Sequence, residues 1–203
     1  MIPYSIIKRF LDILFSFISI IIFLPVFFIV SILIKLTSRG SIFFRQERVG
    51  QNGKIFKIYK FRSMVEQTRD NNRLMITKED DPQITKIGKF LRKYKLDEMP
   101  QIFNVLKGEM SIVGPRPEVP RYANFFTEEQ KEILTVRPGM AGPSIPDSIG
   151  KEKISVENGD LEKKYINQIL PEQLFRDLEY IKHQSLWLDC KLFLKSGLKI
   201  IRK

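Results

Sequence analysis

From Ile13 to Ile34 the chain carries no charged residue, and Pro25 interrupts that apolar run near its middle. An unbroken helix of roughly 22 residues rises about 33 Å, close to the hydrocarbon thickness of a bilayer. Proline removes a backbone donor and crowds the preceding turn, so the pattern predicts a helix kinked or broken there. Halves divided at Pro25 would measure about 18 and 14 Å, each too short to cross alone. Two readings follow: a kinked helix that spans the bilayer, or a re-entrant one that leaves by the face it entered. Lys8 and Arg9 precede the run, while Lys35, Arg39, Arg45 and Arg48 follow it. Positive charge beside a membrane segment favours the cytoplasmic side. Both ends are basic here, which favours the re-entrant form. A cleaved signal peptide is not expected, since no small-residue cleavage site follows and the apolar run is too long.

Beyond the run, the pattern changes period. Ser41 to Met64 reads as strand, turn, strand, with Gln51-Asn52-Gly53 as the turn and Ile55 to Phe61 as the second strand. Glu66 to Pro82 is polar and reads as a loop. Ile84, Ile87, Phe90 and Leu91 return at helical spacing with Lys86, Lys89, Arg92 and Lys93 between them. A second helix is predicted from Leu96 or Asp97 to Lys107, with Gly108 as its stop and Pro100 tolerated in the first turn. Gly114-Pro115-Arg116-Pro117 follows, then a helix-like Thr127 to Leu134 and a loop at Arg137-Pro138-Gly139. At the end, Lys191, Lys195, Lys199 and Lys203 recur every four residues among Leu188, Leu192, Leu198 and Ile201. That is a basic amphipathic helix, suited to the head-group region or to a solvated face over a core.

Composition narrows the partners. The formal net charge of +11 points to anions such as phospholipid head groups, nucleotides or nucleic acid. The membrane segment puts lipid and phosphate first. Basic residues are spread along the chain and no nucleic-acid-binding motif occurs, so no nucleic acid is expected as a partner. One cysteine, Cys190, excludes an intramolecular disulfide framework, and its apolar neighbours predict a packed side chain. One histidine, His183, argues against a histidine-rich metal site or a Ser-His-Asp triad. It reads as a structural or surface residue, and Trp187 as an interfacial anchor or core. Any metal would be a hard, oxygen-liganded ion such as Mg²⁺.

Asp97-Glu98, at a predicted helix start, is the most chemically suggestive pair. The positive end of a helix favours ionised carboxylates, and two adjacent ones repel unless a cation such as Mg²⁺ lies between them. Aspartate can also attack phosphorus to give an acyl phosphate. First-turn acidic residues equally serve as ordinary caps. Arg116, held between two prolines, is a candidate anion ligand whose guanidinium matches phosphate oxygens. Lys57, Lys60 and Arg62 form a basic cluster among Phe56, Tyr59 and Phe61, and Arg92 precedes Asp97 by five residues.

Together these segments resemble the bacterial sugar transferase family, the monotopic phosphoglycosyl transferases that begin membrane glycan assembly. The matching pieces are Lys8-Arg9-Phe10-Leu11-Asp12, Phe44-Arg45-Gln46-Glu47-Arg48-Val49-Gly50 and Lys60-Phe61-Arg62-Ser63-Met64. Leu96-Asp97-Glu98-Met99-Pro100-Gln101, Asn104-Val105-Leu106-Lys107-Gly108-Glu109-Met110-Ser111 and Val113-Gly114-Pro115-Arg116-Pro117-Glu118 follow in order. Arg137-Pro138-Gly139 and Ser185-Leu186-Trp187-Leu188-Asp189 complete the set. The size suggests the small, minimal catalytic form.

The resemblance implies an α+β fold. A re-entrant helix broken at Pro25 lies within residues 1–40, and a cytosolic, membrane-associated domain covers 41–203. That domain would be compact and mainly helical, with a small β-hairpin and a basic amphipathic C-terminal helix. The implied reaction moves a phosphosugar from a UDP-sugar to undecaprenyl phosphate and releases UMP, through an aspartyl-phosphosugar intermediate. Asp97 would be the nucleophile, and Glu98 with Asp97 the Mg²⁺ ligands. Arg116, Arg92, Lys60 and Arg62 would bind substrate. The implied location is the cytoplasmic face of the bacterial inner membrane. The rival reading is a non-catalytic, membrane-anchored adaptor for anionic lipid. Two departures stand out. Leu24 replaces a serine that some relatives carry before the proline. Met140-Ala141-Gly142-Pro143-Ser144-Ile145-Pro146 replaces a Thr-Gly segment and its continuation, which leaves the donor sugar open.

Overall fold

The computed structural model describes residues 3–65, 81–144 and 162–201. Most of the polar segment read as a loop after Met64, and Ile145-Pro146, lie outside the described residues. Helix α1 runs from Tyr4 to Thr37 with Pro25 inside it. The break expected at Pro25 therefore does not end the helix. Proline deletes one backbone donor, while the residues on either side keep theirs, so helical backbone can continue through it. One stripe of α1 is buried, comprising Asp12, Ser16, Phe27, Val30 and Ile34. Most of the rest is exposed and apolar, including Ile22, Leu24, Phe28 and Leu36.

The hairpin forms as its pattern predicts. Strand β1 (Phe43–Val49) pairs antiparallel with β2 (Ile55–Phe61), from Phe43 opposite Phe61 to Val49 opposite Ile55. Helix α2 (Lys86–Lys93) starts where the Thr85 side chain accepts from the Gly88 N–H at 2.9 Å, a regular N-cap. The next predicted helix is divided. A 3₁₀ segment (Leu96–Gln101) leads into α3 (Ile102–Lys107), which ends at Gly108 with φ of 89°. That left-handed geometry suits glycine. Arg9 reaches across from α1 and donates to the Val105 and Leu106 carbonyls at 2.7 and 3.0 Å, satisfying the free end of α3.

A two-stranded parallel pair was not foreseen: β3 (Ser111–Val113) lies against β4 (Gly139–Ala141). The Arg-Pro-Gly loop thus ends in a strand. A Cβ on Gly139 would fall 2.1 Å from the Gly114 nitrogen, so the two loops can cross only through glycine. Short helix α4 (Pro120–Ala123) comes next, and a 3₁₀ turn (Gln130–Thr135) stands where a helix was expected from Thr127 to Leu134. They pack on helix α5 (Leu170–Lys182), which follows a π-helical turn (Tyr165–Ile169) and which the sequence reading did not single out. Helix α6 (Leu186–Ile201) closes the described chain. His183 is exposed, as expected of a surface residue. Cys190, expected to be packed, is exposed instead, because α6 turns its Leu192 and Ser196 stripe inward.

Helix α1 belongs to the core. Phe27, Val30 and Ile34 cluster with Phe61, Leu91 and Ile102, and the Phe27 ring lies 5.6 Å from those of Phe61 and Phe103. Polar contacts fasten both of its ends to the same body. At the start, Tyr4 and Lys8 donate to Asp189 of α6 at 2.7 and 2.6 Å, and Asp12 accepts from the Ile112 N–H at 2.9 Å. At the finish, Arg62 donates to the Ser38 carbonyl at 2.8 Å.

Candidate active site

The acidic pair sits on the 3₁₀ segment. Lys95 turns the chain into it with φ of 55°, a left-handed residue between α2 and Leu96. At three residues per turn, Leu96 and Met99 share one face, and both pack against the cluster containing Phe61 and Leu91. Asp97 and Glu98 are thereby turned off that apolar face. Pro100 is fully buried and anchors the turn from behind. Strand β2 supplies the first cation. Phe56, Ile58 and Lys60 alternate onto one side, and the Lys60 ammonium ends 2.6 Å from Glu98 Oε1.

The two carboxyls differ. Asp97 is only 7% exposed, and its Oδ1 is buried with no hydrogen-bond partner among the described residues. Burial pushes the Asp97 pKa up, the neighbouring Glu98 charge adds to that, and Lys60, Lys95 and Arg92 pull it back. Burial also opposes charge on Glu98, yet Lys60, Lys95 and Arg116 outweigh it and hold that carboxyl far below the usual range. Glu98 is thus firmly ionised, and it raises the proton affinity of its neighbour. The sequence expectation that both carboxylates are ionised at neutral pH does not contain this split, which comes from burial and from Lys60.

Three of the four expected basic ligands converge on the pair. Lys60 bonds Glu98, and the Arg116 charge acts on Glu98. Arg92 acts on Asp97 while its Nε donates to Ser63 Oγ at 2.9 Å. Arg62 goes elsewhere. It is buried and spans the 2.8 and 2.9 Å contacts to the Ser38 carbonyl and hydroxyl, closing the end of α1. Lys95 was overlooked although it lies two residues from Asp97, because its left-handed turn has no pattern signal.

The Arg116 loop is held from several sides. Arg48 donates to the Pro117 carbonyl at 2.9 Å, and the Gly139 N–H donates to the Pro115 carbonyl at 2.8 Å. Behind it, Tyr165 donates to the buried Glu118 at 2.8 Å. Asp177 of α5 accepts from the Arg116 N–H at 3.3 Å and from Ser144 at 3.1 Å. Nothing local in the sequence marks Asp177, which lies far from Arg116 along the chain.

A family model for bacterial sugar transferases matches residues 3–203. The chain belongs to the bacterial sugar transferase family. Its relatives in that family include the UDP-N-acetylgalactosamine-undecaprenyl-phosphate N-acetylgalactosaminephosphotransferase of Aeromonas hydrophila. That protein is 37% identical over 196 residues, covering 95% of this chain and 43% of the relative. The UDP-glucose:undecaprenyl-phosphate glucose-1-phosphate transferase of Klebsiella pneumoniae is 36% identical, over 91% of this chain and 38% of the relative. A galactosyl transferase of Streptococcus agalactiae is 39% identical, over 96% and 42% respectively. The chain therefore spans less than half the length of each of these relatives.

For a metal, the candidate site offers Asp97 and Glu98. No group of three or more His, Cys, Asp or Glu suited to a metal occurs among the described residues. Two carboxylates with one orphaned oxygen do not make a zinc site. They fit Mg²⁺, which keeps several waters and takes one or two carboxylates plus substrate phosphates.

Proposed function

We propose that this protein transfers a phosphosugar from a UDP-sugar to undecaprenyl phosphate, releasing UMP, as the first membrane step of glycan assembly. The observation that carries the reading is the buried, unpartnered Oδ1 of Asp97 amid Lys60, Lys95 and Arg92. A carboxylate oxygen that no protein donor uses, in a cationic setting, is available to attack an anionic phosphorus. In the first step Asp97 Oδ1 forms a bond to the sugar-bearing phosphorus, the bond to the bridging diphosphate oxygen breaks, and UMP leaves with that electron pair. In the second, an oxygen of undecaprenyl phosphate attacks the same phosphorus, and the aspartyl–phosphorus bond breaks to restore the carboxylate. Arg116 and Arg92 hold phosphate oxygens and neutralise their charge. Lys60 exchanges its bond with Glu98 for the donor phosphates. Glu98 and Asp97 are the residues that would hold Mg²⁺, which would supply positive charge against the diphosphate.

The membrane arrangement supports the same reading. Contacts from Tyr4, Lys8, Arg9 and Asp12 at one end of α1, and from Ser38 beyond the other, go to one body. A helix that crossed a bilayer would carry one of those sets to the far side. We therefore read α1 as embedded from one face, bent near Pro25, with the domain on the cytoplasmic side of the inner membrane. Helix α6 adds a second contact, with Trp187, Leu194 and Leu198 exposed among Lys191, Lys195 and Lys199. This sets Asp97 where a soluble donor and a lipid phosphate can reach it in turn.

The test offers the nanodisc-embedded protein UDP-N-acetylgalactosamine, UDP-glucose and UDP-galactose with undecaprenyl phosphate and Mg²⁺. UMP release with one donor is expected. Release of UDP, or of no nucleotide from any UDP-sugar, refutes the chemistry.

A further inference from the structure

The triplet Pro115-Arg116-Pro117 contains one backbone N–H, that of Arg116, because proline has none. That donor ends on Asp177 Oδ2 at 3.3 Å. The same oxygen accepts the Ser144 hydroxyl at 3.1 Å, so one carboxylate atom ties the Arg116 loop to the segment after β4. Asp177 is 2% exposed and Ser144 is fully buried, so water cannot substitute for either contact. The second oxygen, Oδ1, is buried with no hydrogen-bond partner among the described residues. Burying a carboxylate with half its acceptors unused is costly. A packing role would be served better by an apolar side chain.

We infer that Asp177 is a positioning residue that sets the direction of the Arg116 guanidinium by holding the one main-chain donor of the Pro115–Pro117 triplet. The carbonyls of Pro115 and Pro117 are fixed by Gly139 and Arg48. The Gly114 N–H donates to the Ala141 carbonyl at 2.9 Å on one side and the Glu118 carbonyl accepts from the Val49 N–H at 2.8 Å on the other, and Asp177 supplies the contact to the Arg116 amide between them. Without it the triplet can shift between these flanking contacts and carry Arg116 away from Glu98, on which its charge acts. The Ser144 bond extends this control to the segment that follows β4. The inference rests on the proposed reaction for its kinetic consequence, but not for its structural one.

Two measurements separate the two. In the first, hydrogen exchange of the peptide containing Arg116 is followed in the full chain in nanodiscs. Asp177→Ala is expected to speed Arg116 amide exchange at least tenfold, while Asp177→Asn, which keeps an acceptor oxygen, slows it back towards the original rate. That result holds whether or not any donor turns over, so a failed reaction and a failed anchor are distinguishable. In the second, at pH 8, Asp177→Ala raises the KM for the active UDP-sugar about tenfold with a smaller change in kcat. Asp177→Asn stays within about threefold of the original KM. Unchanged Arg116 exchange in Asp177→Ala overturns the inference. So does a loss of thermal stability with KM intact, or an Asn variant as impaired as the Ala variant.

Discussion

Asn104 offers the sharpest quantitative test of how the acidic pair is supported. It is fully buried on α3, immediately after the 3₁₀ segment that carries Asp97 and Glu98. Its Oδ1 accepts the Tyr59 N–H at 3.0 Å, and its Nδ2 donates to the Lys57 carbonyl at 2.9 Å and to Glu109 at 2.7 Å. The first two bonds do for the free edge of β2 what a third strand would do. In Asn104→Ala the part-buried Tyr59 N–H and Lys57 carbonyl lose this partner, at about 1–3 kcal/mol each. The expected loss is about 2–5 kcal/mol. At about 2–4 °C per kcal/mol for a chain of this size, Tm should fall by roughly 5–20 °C. Asn104→Asp should be worse, since it replaces a donor with an oxygen facing the Lys57 carbonyl and the Glu109 carboxylate. Thermal unfolding by near-ultraviolet circular dichroism in nanodiscs, with UMP release alongside, checks both variants. A loss below about 1 kcal/mol in the alanine variant, or an Asp variant as stable as the original, refutes the assignment.

Further tests address the site and its neighbours. Asp97→Asn should abolish the covalent phosphosugar adduct seen by intact-protein mass spectrometry while leaving membrane association unchanged; an undiminished adduct places the nucleophile elsewhere. A Cβ on Gly88 would lie 1.9 Å from the Ser63 carbonyl oxygen, so Gly88→Ala should cost about 1–3 kcal/mol or more by overpacking and depress UMP release through the Ser63–Arg92 contact. Burial raises the Asp177 carboxyl to about 7, against about 3.9 in the unfolded chain. The folded state then keeps a proton that the unfolded state has released, so this contribution is full below about pH 4 and is lost as pH rises towards 7. Between pH 5 and pH 8 the original protein should lose roughly 2–3 kcal/mol relative to Asp177→Asn, measured as the change in their Tm difference. A pH-independent difference contradicts the buried, proton-holding carboxyl.

What the sequence disclosed follows from the range of the forces involved. The hairpin, α2 and the Gly108 stop depend on turn residues and local periodicity, and each was readable. The 3₁₀ segment was read as α-helix because Pro100 is compatible with a first turn of either. Strands β3 and β4 have three residues each and pair across a long stretch of chain, too short for alternation to register. Helix α5 carries Leu170, Leu174 and Leu178 at helical spacing, a local signal of the same kind. The Asp97-Glu98 pair and the basic residues around it could be named from adjacency and motif. The inequality of the two carboxyls could not, because it depends on Lys60 and Arg116 arriving from other elements. Asp177 was invisible for the same reason.

The fastening of α1 at both ends also bears on how this protein comes into being. Phe27, Val30 and Ile34 complete the cluster that buries Phe61, Leu91 and Ile102, and Asp12 satisfies the Ile112 N–H. Removing the first forty residues would uncover that cluster and strand that donor, so a truncated chain should aggregate as it leaves the ribosome. The body needs α1 to complete its core. Folding and the placement of α1 are thus coupled, because the apolar helix long enough to enter a membrane is also part of the core.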